Sequence, residues 1–205
     1  QALLVLPFFQ GKAVASQEPI MRVLISEKVN LRIRADGKSP LFVRGLGVGV
    51  KSLKSLSLTK DRGKLRIRTD GYSNANSLIA KNDELIIRSN DPRGIWVDKR
   101  RYRGMLKIGL DKGVIQVINH LPVELYLMSV VGAEMPRSWP KAALKAQAVA
   151  ARTYALKQIG KAGGFDVRST KANQVYMGIE SETEKTKYAV NATRTLVLVN
   201  KGKLI

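Results

Sequence analysis

The 205-residue chain has no cysteine and a single histidine, His120. Without thiols there are no disulfides, no thiolate zinc site and no cysteine nucleophile. One imidazole cannot supply two or more ligands to a metal, and Ser-His-Asp chemistry would have to run through His120. Acidic residues are scarce: 16 Asp and Glu stand against 36 Lys and Arg, a formal net charge of +20. Long apolar runs are missing too, and none approaches the roughly 20 residues a helix needs to cross a bilayer. What remains is chemistry by carboxylates, lysines, arginines and hydroxyls, or none.

What is present is ordinary for a folded chain: 44% hydrophobic and 25% charged residues exclude wholesale disorder. The length allows one large domain or two small ones. The positive charge is spread over both halves, so it is a field and not a tail, and it attracts polyanions such as nucleic acid, anionic lipid or anionic wall polymers. No zinc-finger spacing, aromatic RNA-binding pattern or basic helix leading into heptads accompanies it. The densest run, Lys99-Arg100-Arg101-Tyr102-Arg103, reads as a solvated strand edge. Near the start, the apolar Ala2–Phe9 and the small-x-small Ala13-Val14-Ala15 resemble a secretion signal. The expectation is a signal-peptide remnant over 1–15, a mature chain from near Ser16, and export. The alternative for the apolar run is a buried edge strand.

From about 20 to 118 the pattern has period two. Met21–Ser26, Leu31-Arg32-Ile33-Arg34, Leu65-Arg66-Ile67-Arg68, Leu85–Ile87, Ile95–Val97, Leu106–Ile108 and Val114–Ile118 predict short strands. Between them stand Ala35–Lys38, Asp61-Arg62-Gly63, Thr69-Asp70-Gly71, Asp91–Gly94 and Asp111-Lys112-Gly113, which predict tight reversals and hairpins. The alternation Leu-Arg-Ile-Arg occurs twice. The character then changes: Leu121–Glu134 suits a helix beginning at Pro122, and Pro136 cannot continue it. Pro140 opens a second helix, Lys141 to about Ile159, which holds seven alanines and ends at Gly160. Its small side chains allow close approach, so it is expected at the centre of the core. Residues 165–178 read as loop with short extended pieces, 183–191 as a helix, and 195–205 as a hairpin.

Glu134 is the carboxylate that stands out. It ends the apolar helix, and apolar neighbours together with a helix C-terminus both disfavour its ionised form. Those conditions suit a general acid near neutral pH. The bland reading is a local pairing with Arg137 or Lys141. On the following helix Lys145 and Arg152 lie two turns apart on one face, with Gln147 on a neighbouring stripe. Two cations there form either a solvent stripe or a site for an oxygen-rich ligand. Trp139 and Tyr154 read as core, and Ser169, Thr170, Gln174 and Tyr176 as hydrogen-bonding candidates in the loop.

Leu121–Leu127, Val130-Val131-Gly132-Ala133-Glu134-Met135-Pro136, Trp139-Pro140 and Ala143-Leu144-Lys145-Ala146-Gln147-Ala148-Val149-Ala150-Ala151-Arg152-Thr153-Tyr154-Ala155-Leu156 resemble the SpoIID/LytB family. The similarity runs on through Phe165-Asp166-Val167, Gln174-Val175-Tyr176 and 189–199, so it covers about 100–205. That family contains peptidoglycan lytic transglycosylases and proteins described as enhancers of wall amidases. The expected fold is α+β: the period-two pattern gives a β-rich module over 16–98, and the resemblance gives a SpoIID/LytB-like domain over 99–205, C-terminally incomplete, built round the Ala-rich helix. The resemblance implies Glu134 as the catalytic acid/base and Lys145, Gln147, Arg152, Gln174 and Tyr176 as substrate-binding residues. The expected substrate is peptidoglycan glycan strands and the expected place the periplasm or cell wall. A wall amidase is a further expected partner; nucleic acid, a cofactor and a transmembrane segment are not expected. Zinc-binding members carry Cys and His where this chain has Arg168–Asn173, so hydrogen bonds or packing must hold that loop.

Overall fold

In a computed structural model of the chain, the residues described are 4–7, 18–37, 39–47, 49–69, 78–79, 84–136, 138–161 and 163–205. Ala13-Val14-Ala15, Asp70, Gly71 and Arg137 lie outside them. The architecture is α+β. Strands follow as β1 (Leu4–Pro7), β2 (Ile20–Lys28), β3 (Asn30–Ala35), β4 (Leu41–Arg44), β5 (Val50–Leu53), β6 (Ser55–Asp61), β7 (Lys64–Thr69) and β8 (Leu78–Ile79). Then come β9 (Glu84–Arg88), β10 (Ile95–Val97), β11 (Arg100–Tyr102), β12 (Met105–Asp111) and β13 (Val114–Pro122). The remainder holds α1 (Val123–Glu134), α2 (Lys141–Gln158), β14 (Val167–Arg168), a 3-10 helix (Gly178–Ser181), α3 (Glu184–Ala192), β15 (Leu196–Asn200) and β16 (Lys203–Leu204).

The chain divides into two compact units, Val23–His120 and Gln1–Arg22 with Leu121–Ile205. This differs from the boundary at 98/99 expected from the sequence. The reason is pairing: β12 lies between β9 and β13, so the hairpin following Tyr102 is part of the β-rich unit.

The β-rich unit has two sheet runs, β2-β13-β12-β9-β4-β5 and β11-β10-β3-β6-β7-β8. Alternation decides which side chains fill its core. Leu31, Ile33, Leu56, Leu58, Leu65 and Ile67 are buried from one run, and Val43, Leu85, Ile87, Leu106, Ile108 and Val117 from the other. The expected reversals at Arg62-Gly63 and Lys112-Gly113 are two-residue turns with positive φ at both positions, as the twist of a hairpin demands. Lys201-Gly202 does the same between β15 and β16. The Arg100–Tyr102 segment is an edge strand, as its charge suggested. Strands β4, β5 and β6 were not expected.

In the other unit the three helices and β15 enclose a second core of Tyr126, Leu127, Val130, Val131, Leu144, Ala148, Ala155, Val190 and Val197. Pro122 offers α1 no side-chain cap. The first N–H groups of α1 are met instead from the N-terminal segment: Val123 donates to the Pro19 carbonyl at 2.9 Å and Glu124 to the Glu18 carboxylate at 2.8 Å. Thr183 caps α3 through a reciprocal capping box with Thr186. Leu4–Pro7, inside the segment read as a leader remnant, pairs antiparallel with β15 from Leu4↔Val199 to Pro7↔Leu196.

Candidate active site

Glu134 is the last residue of α1, and α2 starts seven residues later, so its carboxylate meets the side of the second helix. Gln147 Nε2 donates to Glu134 Oε2 at 2.9 Å, and the Val175 backbone N–H donates to Oε1 at 3.1 Å. Among the described residues no cation pairs with it. Burial pushes the Glu134 carboxyl above the usual range, and the bonds from Val175 and Gln147 only partly offset that. A glutamine partner suits a proton carrier: its amide donates to the carboxylate and, turned over, accepts from the carboxylic acid. A lysine or arginine would hold the ionised form only.

Under this carboxylate the loop 173–181 is fastened to the helices. The Tyr126 hydroxyl donates to Gln174 Oε1 at 3.0 Å, and Gln174 Nε2 donates to the Ala151 carbonyl at 3.2 Å. The Tyr126 and Tyr176 rings pack 5.2 Å apart. Ser129 and Ser181 share a hydrogen bond of 2.9 Å, and the Met177 N–H donates to Ser129 at 3.2 Å. Burial, then the charge of Glu134, then Tyr154 raise the Tyr126 pKa, so its hydroxyl stays a donor. Upstream, Asn173 accepts from the Arg168 N–H and donates to the Tyr154 hydroxyl, while Ser169 donates to the Tyr176 carbonyl. Of the two expected means, hydrogen bonds or packing, these hydrogen bonds are present in the segment.

Three of the expected substrate residues are placed otherwise. Arg152 is 1% exposed. Its Nε and Nη2 form a fork on Glu124 at 2.7 Å each, and its remaining donors go to the carbonyls of Ala148, Leu196 and Val190. With every N–H used, it is a pin between α1, α2, α3 and β15 and has nothing to offer a glycan. Gln174 and Tyr176 are buried at 5% and 2%, so they support the loop that presents the Val175 N–H. Gln147 is brought directly to Glu134. Lys145 is half-buried, its ammonium 5.3 Å from the Tyr188 ring, with Lys141 5.0 Å from the same ring. Trp139, read as core, is 44% exposed. The Val175 N–H carries no side-chain signal and could not be read from the sequence. Glu124 could have been, as the one carboxylate on the apolar helix besides Glu134.

Residues 111–200 match the SpoIID family, described as Stage II sporulation protein. Over that segment the chain is similar to the SpoIID family. An uncharacterized protein of Brachyspira hyodysenteriae (strain ATCC 49526 / WA1) is 41% identical over 115 residues, 55% of this chain and 31% of that protein. The amidase enhancer of Bacillus subtilis (strain 168) is 46% identical over 79 residues, 38% of this chain and 10% of that protein. The chain thus spans about a third and a tenth of the length of these curated relatives. No solved structure matches. The SpoIID match spans the β12–β13 turn, all three helices and β15, and so takes in Glu134, Gln147 and Val175 together.

Proposed function

We propose that this SpoIID domain acts on the bacterial cell wall as a peptidoglycan lytic transglycosylase, in an exported protein, with Glu134 as general acid and then general base. The observation that carries the reading is a half-buried carboxyl with a raised pKa, held by two neutral donors and paired with no described cation. Ordinary glycosidases need a second carboxylate to activate water or attack the sugar. A transglycosylase takes its nucleophile from the substrate. Protonated Glu134 gives its proton to the oxygen leaving C1 of the muramic acid, and the carboxylate then takes the proton of that sugar's own 6-hydroxyl as it closes on C1. The products are a 1,6-anhydro end and a free hydroxyl on the leaving sugar, with no water consumed. Gln147 and the Val175 N–H keep the carboxylate aimed through both halves. Lys145, with Lys141 and Tyr188, is a surface for anionic groups of the strand.

Purified glycan strands treated with wild-type protein should yield anhydromuramyl ends by mass spectrometry, and Glu134→Gln should yield none while still sedimenting with intact wall. Equal product from both proteins would remove Glu134 from the mechanism. The name of the Bacillus subtilis relative favours a second reading, stimulation of a wall amidase without cleavage. That reading requires that wild type and Glu134→Gln both release no glycan product and raise amidase turnover alike.

A further inference from the structure

The doubled Leu-Arg-Ile-Arg motif plays no part in the site around Glu134, and the β-rich unit gives it a place. Its copies are β3 and β7, and β6 lies between them. Register sets Arg32 opposite Ser57 and Ser57 opposite Arg68; one step along, Asn30 opposes Thr59 and Thr59 opposes Arg66. On the other side Arg34 opposes Trp96, and Trp96 opposes Arg101. Leucine and isoleucine fill the core face, so all five arginines share the opposite face around a serine- and threonine-bearing strand. Arg32, Ser57, Thr59 and Arg68 are exposed. Arg32 and Arg68 have no side-chain partner among the described residues. Arg32 also lines a cavity of about 520 Å³ with Lys28, Lys99 and Arg100, in which Asp98 is the only acid.

We propose that this face binds a linear phosphodiester polymer of sugar or polyol units. Arginines two apart on one strand stand about 7 Å apart, and those two strands apart about 10 Å, a grid suited to charges that repeat along an extended chain. The forked guanidiniums of Arg32 and Arg68 match phosphate oxygens, while Arg66 pairs with Asp61 and Arg101 with Asp36, and the intervening hydroxyls add donors. The face has little to hold a nucleobase. Its aromatic ring, Trp96, lies under Arg34 at 4.1 Å and Arg101 at 5.1 Å, which leaves base stacking without a platform. The binding is independent of Glu134 and survives if the transglycosylase reading fails.

The test uses the whole chain and fluorescently labelled poly(glycerol phosphate), titrated by anisotropy over a salt series. Arg32→Gln/Arg68→Gln should weaken binding about tenfold and reduce the salt slope by about two. Lys185→Gln/Lys203→Gln, an equal charge change on exposed residues of the other unit, should leave both nearly unchanged, and Glu134→Gln should bind as wild type. Equal losses from the two double variants would show diffuse charge and no site, and overturn the proposal. So would tighter binding of single-stranded DNA with the same number of phosphates.

Discussion

Arg152 and Glu134 show how little residue type says about role. Both sit in sequence blocks that resemble substrate-handling motifs, yet one is a core pin and the other a carboxyl that no described cation pairs with. Replacing Arg152 with Met should strand Glu124 without its counter-charge and cost about 3–5 kcal/mol in urea unfolding. Arg152→Lys keeps the charge but not the fork, and should also destabilise; unchanged stability with lost cleavage would return Arg152 to the substrate. Glu134 works the other way. Its raised pKa means the folded state holds the proton more tightly than the unfolded chain does. Stability therefore falls as pH climbs from the ordinary value of 4.5 through the raised one. Glu134→Gln should melt higher than wild type above that window and show no such advantage below it, a comparison that thermal scans at a series of pH values make directly. The carboxyl's buried setting was legible because its apolar run and the Met-Pro that follows are local features. Arg152's partner lies 28 positions back on a different helix, and a fork of that kind leaves no mark in spacing.

At the level of elements, local chemistry was readable wherever it alone decides geometry. The X-Gly turns at 62–63, 112–113 and 201–202 gave hairpins because glycine takes the positive φ that a two-residue turn requires. Proline opened both long helices and Thr183 the third. Strands β4 and β5 were hidden because four-residue stretches round a glycine-rich turn show too little alternation. Gly132 illustrates a constraint sequence cannot supply. It sits within α1, where alanine would ordinarily gain about 1 kcal/mol. A Cβ there would lie 2.0 Å from the Ser181 carbonyl oxygen, backbone that cannot swing aside. Gly132→Ala should instead destabilise by about 1–3 kcal/mol and loosen the 3-10 turn, read as faster amide exchange at Met177 and Ser181. A neutral or stabilising result would contradict this packing.

For the whole molecule, the N-terminal segment is bound into the SpoIID-bearing unit by Arg22 as well as by Glu18. Asp166 accepts from the Arg22 N–H at 2.8 Å, from its guanidinium at 2.6 Å and from the Gly160 N–H at 2.9 Å. Burial alone would raise the Asp166 pKa, but the Arg22 side-chain bond, the two backbone bonds and the Arg22 charge together lower it. The stabilisation is thus present above the ordinary aspartate value and disappears as pH falls through the lowered one. Asp166→Asn should cost about 2–3 kcal/mol at neutral pH, with the gap to wild type closing in acid. A gap that did not narrow as pH falls below the ordinary aspartate value would mean the contact is not ionic. This junction was invisible in the sequence, since 144 residues separate its partners.

That separation orders events during synthesis. Residues 18–22 leave the ribosome before the β-rich unit, but the helices whose ends they complete follow it. At about 5–20 residues per second, several seconds of translation pass before those partners exist. The strand-rich unit can close on itself in that interval, while the bonds of Glu18, Pro19 and Arg22 wait for α1 and the 158–166 loop to arrive.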